Sequence, residues 1–215
     1  MEDGNIAFKV TYNDANWSGV CSKKVAEYNF GNRVWCGVQS HFEENCQSAC
    51  YAHPGVLNRN YSPCYDAIAQ KELQFSPGYF HHGSKAGEPK QCKDAKVGKI
   101  ALFTSKEQGA AEIERFIFAI GVIEVIDYNL DDNGNEEEII RCHKDSAIQF
   151  SARFRPKYWD YYSNKKAPET IFWGSGLIRY VQDEEILSLL NRVVNSPVYN
   201  KRMKEKAKKI IEQFI

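Results

Sequence analysis

VGKIALFT (97–104), SKEQGAAEIE (105–114) and RFIFAIGVIEVID (115–127) form the stretch on which the fold turns. The outer two are apolar and rich in β-branched and aromatic residues, which predicts strands at 97–104 and 115–127. The second run is continuous rather than alternating, as a central strand buried on both faces should be. The polar decapeptide between them turns or forms a short helix.

Working downstream, YNLDDNGNEEE (128–138) carries Asn133-Gly134, a strong hairpin signal, in an acidic loop that reads as a solvated tip. Residues 139–151 then predict one or two further strands. In PKYWDYYS, Pro156 suits the first turn of a helix. QDEEILSLLNRVV (182–194) is amphipathic, with Ile186, Leu189, Leu190, Val193 and Val194 on one face. After Asn195-Ser196-Pro197 a last helix runs to the end, with six basic residues and one acid between Lys201 and Lys209. Upstream, IAFKVTY (6–12) predicts a strand and YDAIAQKEL (65–73) a helix with Asp66 in its favourable first turn. FSPGYFHHGSKAGEPK (75–90) is loop by composition. Strands followed by helices without regular alternation predict an α+β fold rather than a doubly wound sheet. The domain organisation expected is a cysteine-rich, irregular region over 1–74 and a second unit over 75–215, the two able to form one compact body.

Composition narrows the function. The 215 residues carry 28 basic and 28 acidic side chains, which argues against coating nucleic acid by bulk charge but leaves room for a local basic patch. No apolar run reaches the length of a membrane-spanning helix, so no membrane partner is expected. The amino terminus, MEDGNIAFKV, is acidic and lacks an apolar signal core, so the expected location is cytoplasmic.

Six of the seven cysteines fall in the first hundred residues. In a reducing compartment such thiols bind metal or sit buried more often than they pair. Cys46 and Cys50 form a close pair, and with Cys21 and Cys36 they supply four soft ligands for a structural zinc. Cys64 and His53 are reserves, and Cys92 is a more remote one. An iron–sulfur cluster is the alternative occupant. Cys92 and Cys142, which stand alone, read equally well as small core residues.

Trp159, Tyr161, Tyr162, Phe172, Trp173 and Tyr180 form an aromatic cluster, with Gly174 and Gly176 beside the second indole. Single rings of this kind most often pack a core, but as a group they are expected to offer one or two faces to a pocket. A flat nucleobase stacks on such faces, and its edge needs donors and acceptors. Ser105, Asn164 and Ser175 are candidates. Tyr79 and His81, in PGYFHHG, are expected to line the same pocket. Lys85, Lys90, Arg115 and Arg179 are the candidate contacts to a phosphate backbone. A solvated lysine-rich surface is the plain alternative. The chain has no glycine-rich phosphate loop, G-x-S-x-G turn or H-E-x-x-H helix, which lowers the expectation of an enzyme.

On VGKIALFT as an opening strand, RFIFAIGVIEV as the strand after it, and the aromatic segments around Trp159 and Trp173, residues 75–195 resemble the PUA-like barrel superfamily, in particular its EVE, YTH and ASCH branches. The resemblance implies a small β-barrel flanked by helices that binds a modified or flipped base of DNA or RNA in an aromatic cage. Trp159 and Trp173 are then the cage, with Tyr162 behind them. It also implies a role in a restriction or defence system, with a nuclease or motor subunit as partner. The cysteine-rich first seventy residues depart from the ordinary barrel. Two other readings stay open: an ASCH-like hydrolase acting on a modified nucleoside, and a protein-interaction domain whose aromatics are core.

Overall fold

The computed structural model describes residues 3–14, 22, 24–25, 28, 65–80, 83–130, 136–165, 167–174 and 176–214. Cys21, Cys36, Cys46 and Cys50, with their reserves His53 and Cys64, and also His81 and Ser175, lie outside the described residues.

The fold is α+β. Its strands are β1 (Asn5–Lys9), β2 (Gln74–Phe75), β3 (Ile100–Ser105), β4 (Phe116–Leu130), β5 (Glu136–Cys142), β6 (Ile148–Gln149) and β7 (Ile178–Val181). The helices are α1 (Tyr65–Glu72), α2 (Asp183–Asn195) and α3 (Lys201–Phe214). The sheet is mixed and open, in the order β2-β5-β4-β3-β1-β7, with β6 added to β4. β1 runs parallel to β3 and antiparallel to β7. It therefore joins the 1–74 region to the same sheet as the rest of the chain.

β4 is the spine. Its first half pairs with β3 and β6, and its second half with β5. This explains why the sequence is continuously apolar from Phe116 to Ile123, where every residue is buried, and mixed beyond Glu124. β4 and β5 pair antiparallel, with Leu130 opposite Glu136; the expected turn residues Asn133 and Gly134 lie outside the described residues. A register shift between Phe103 and Thr104 breaks the β3–β4 ladder and sends Phe118 and Ala119 both to one face.

Alternation divides the core into two. Ala7, Ile100, Leu102, Ile117, Ile120 and Val122 point to the side covered by α2 and α3, where Ile186, Leu189, Leu190, Val193, Ala207 and Ile210 meet them. Ile6, Phe8, Ala101, Phe103, Phe118 and Ile140 point the other way, toward Ala69, Leu73 and Phe75. Close packing between strands leaves no room at Gly121, where a Cβ would sit 2.6 Å from that of Cys142. Asn5 clamps the sheet to α2: its amide Nδ2 donates to Asp183 at 2.7 Å and its Oδ1 accepts from the backbone of Ile100 at 2.9 Å. Lys99 completes the node with an ion pair to Asp183.

One expected element is corrected. Pro156 opens no α-helix, and the segment makes only a 3-10 turn at Tyr158–Asp160. Its backbone is bound to the sheet instead: the Pro156 carbonyl accepts from Ile117 N–H, and Tyr158 N–H donates to the Arg115 carbonyl. Two tethers to an extended strand do not permit a helical rise. No described helix is long and apolar enough to cross a membrane.

Candidate functional site

The parallel pair β1–β3 ends, on the α2 side of the sheet, in a group of cations. Lys9 is the last residue of β1 and Lys106 follows β3. Arg115 precedes β4, and Arg179 lies in β7. Among the described residues the carboxylate paired with this group is Glu112, which takes a bidentate pair from Arg115 (2.5 and 3.2 Å) and a looser one from Lys106 at 3.7 Å. Burial and the neighbouring Arg115, Lys106 and Arg179 charges push the Lys9 ammonium below its ordinary pKa, against the opposing pull of Glu112. Burial alone would raise the Glu112 carboxyl, but Arg115 and Lys106 hold it below its usual value. Among the described residues, positive charge here exceeds the carboxylate charge paired with it.

The WGSG turn lies against this group. Lys9 Nζ donates to the Gly174 carbonyl at 3.1 Å. Gly174 has φ +82°, so glycine is favoured for backbone conformation, and a Cβ there would lie 3.0 Å from the Arg179 guanidinium and 3.6 Å from the Phe172 ring. Asn164, expected as a donor to a base edge, is already used. Its amide donates to the carbonyls of Thr170 (2.5 Å) and Phe172 (3.3 Å), pinning the turn.

The rings divide sharply. Trp173 is 1% exposed and belongs to the α2 side of the core, so it does not form a wall of an open cage. Its Nε1–H donates to the Gly176 carbonyl at 2.8 Å, and the guanidinium carbons of Arg115 and Arg179 stand 4.7 and 5.6 Å from its ring centroid. Those surfaces are occupied by cations rather than offered to a ligand. Tyr158, fully buried, packs against Trp173, Trp159 and Tyr162. Trp159 and Tyr162 are half-buried at the rim of this cluster. Phe172, one residue from the occluded indole, is 64% exposed.

Of the other predicted contacts, Arg115 and Arg179 belong to the cation group, and Lys85, Lys90, Tyr79 and Ser105 are placed elsewhere. Arg115 is 2% exposed and saturated by Glu112, Thr104 and Trp173, so it organises the cations instead of touching a backbone itself. Lys85 and Lys90 flank the Phe80 ring at 5.8 and 5.6 Å, in the loop where Tyr79 bridges Pro89. Ser105 falls on the opposite face of the same sheet end, in a small cleft with Tyr12, Gln70, Phe116, Phe118 and Arg155. There the Arg155 guanidinium lies 4.4 Å over Phe116. The Ser105 hydroxyl and Arg155 Nε have no hydrogen-bond partner among the described residues.

Comparison with known proteins adds no relative: no family model, no curated protein and no solved structure matches the chain.

Among the described residues no group of three or more His, Cys, Asp or Glu side chains is arranged to hold a metal ion. Cys92 and Cys142 are buried free thiols. Burial, with the Glu138 charge, pushes the Cys92 thiol far above its normal range, and burial with Glu124 pushes Cys142 up to about 12. Both are inert core residues at neutral pH.

Sequence reasoning named Arg115 and Arg179 but missed Lys9, Lys106 and Glu112. The one available cue was a lysine closing the otherwise apolar strand IAFK. The arrangement as a whole can bind an anion: three half-exposed cations, a fixed glycine turn and a solvent-facing ring converge at one sheet end.

Proposed function

We propose that the protein is a nucleic-acid-binding module that takes the phosphate backbone of DNA or RNA at the end of β1 and β3. The observation that carries this reading is the gathering of Lys9, Lys106, Arg115 and Arg179 at one sheet end, where Glu112 pairs with Arg115 and Lys106. A neutral chain that gathers four cations around one carboxylate among its described residues favours a local anionic ligand, and Lys and Arg bind phosphates through charge-assisted hydrogen bonds. Arg115, locked to Glu112, sets the geometry, while Lys9, Lys106 and Arg179 meet the phosphates.

The resemblance to PUA-like barrels extends the proposal to a modified or flipped base and to a nuclease or motor subunit as partner. It supplies the finer expectation that the open sheet corresponds to such a barrel. The spacing of Cys21, Cys36, Cys46 and Cys50 supports a structural zinc as a separate part of the same proposal. Metal analysis of protein purified without added metal tests it: about one zinc per chain is expected for a four-cysteine site, and a coloured iron–sulfur preparation or metal-free protein rejects it.

The test of function is a fluorescence-anisotropy titration with DNA and RNA oligonucleotides, with and without methylated bases. Binding that weakens in Arg179→Ala and Lys106→Ala is expected. Absence of binding at low salt, or affinity indifferent to both substitutions, rejects the reading. Turnover of a modified nucleoside in the same samples would move the chain to the hydrolase alternative.

A further inference from the structure

Phe172, beside the cations, is the most exposed aromatic side chain among the described residues, at 64%. Its neighbours in the chain are fixed: Asn164 holds the carbonyls of residues 170 and 172, Gly174 is in the left-handed region, and Trp173 is anchored in the core. The ring is therefore held out on a braced turn, with Ile171, 44% exposed, preceding it. It shares Gly174 with Arg179, for the ring and the guanidinium both approach the position where a side chain at 174 would stand. A flat apolar face and a cation at one glycine match the two halves of a nucleotide, whose base stacks while its phosphate pairs.

Resting on the nucleic-acid reading above, we infer that Phe172 is the base-stacking platform of the site and that the ligand is a single strand. In a duplex with no extruded base the bases are stacked on one another, so their flat faces are not available to a side chain resting on the surface. A single strand presents both parts at once: a base on Phe172 and the adjoining phosphates toward Arg179, Lys9 and Lys106. Every base has such a face, so recognition through Phe172 is tolerant of sequence.

The experiment compares a labelled oligodeoxythymidylate, an oligouridylate, and the duplex of the first with oligodeoxyadenylate, each titrated with the wild-type chain, Phe172→Ala and Phe172→Trp. Stacking of one base is worth ~1–3 kcal/mol, so Phe172→Ala should weaken single-strand binding about 5- to 140-fold. Its salt dependence should not change, because no charge is lost. Phe172→Trp should bind at least as well as wild type. The duplex should bind more weakly than either single strand. An unchanged thermal melt of Phe172→Ala confirms that the fold is intact. If single strands bind with the normal salt dependence but Phe172→Ala retains affinity within about twofold, or the duplex binds as tightly, the stacking inference is wrong while the nucleic-acid reading survives. If no oligonucleotide binds wild type at all, the reading beneath it fails as well.

Discussion

Phe172 and Trp173 are adjacent in sequence and opposite in fate. The indole fills the core beside two guanidinium groups, and the phenyl ring stands in solvent beside the same glycine turn. The difference teaches that an aromatic-rich segment is not one feature. One ring provides the buried surface on which the turn is anchored, and the next is the surface the turn presents. Cations follow the same division: Arg115 is enclosed and paired, whereas Lys9, Lys106 and Arg179 remain partly open to a ligand.

That contrast can be broken first at its buried side. Trp173→Ala should cost about 3–5 kcal/mol, the usual range for truncating a buried aromatic, read as a fall in the denaturation midpoint. A loss below about 1 kcal/mol would show that the indole is not a core residue. Glu112→Gln comes next. It removes the carboxylate that pairs with nearly buried Arg115, and a loss of about 2–3 kcal/mol is expected. Its pH signature sharpens the point. Glu112 is held below its unfolded pKa, so its stabilisation is fully present above that unfolded value of 4.5 and fades as pH falls through the folded one. Melts recorded from neutral to acid should therefore fall less steeply in Glu112→Gln than in wild type.

Tyr158→Phe is a smaller effect of opposite sign. The Tyr158 hydroxyl is buried with no hydrogen-bond partner among the described residues, and removing it should leave stability unchanged or raise it by about 1 kcal/mol. A clear loss would reveal a partner for that hydroxyl. Phe172→Ala should change stability by no more than about 0.5 kcal/mol, as for surface substitutions generally. If it instead destabilised the fold as Trp173→Ala does, the distinction between the two rings would disappear.

The strands of the spine were legible because burial leaves a mark in composition. FIFAIGVI reads as a strand enclosed on both sides, and it is one. Helix α2 was legible from its periodicity and α3 as the segment after Asn195-Ser196-Pro197, and Asn133-Gly134 pointed to the antiparallel pairing of β4 with β5. Pro156 misled because proline's fixed φ suits an extended tether as well as a first helical turn. What decides between them is the long-range bond from Ile117 to the Pro156 carbonyl. The site was legible only in fragments. Lys9, Lys106, Arg115 and Arg179 come from four separate segments, and only the parallel pairing of β1 with β3 brings the first two together. Nor does sequence say which of two neighbouring rings turns inward, since this depends on the turn around Gly174 rather than on residue type.

The most direct test of the central claim is the salt dependence of oligonucleotide affinity. Three cations facing phosphates predict a straight line of log affinity against log salt with a slope of about −2 for a single strand. Replacing Lys106 and Arg179 together by alanine should bring that slope close to the value for one remaining contact. A flat line in wild type, or a slope that the double substitution leaves untouched, would contradict the assignment of these cations to a phosphate backbone.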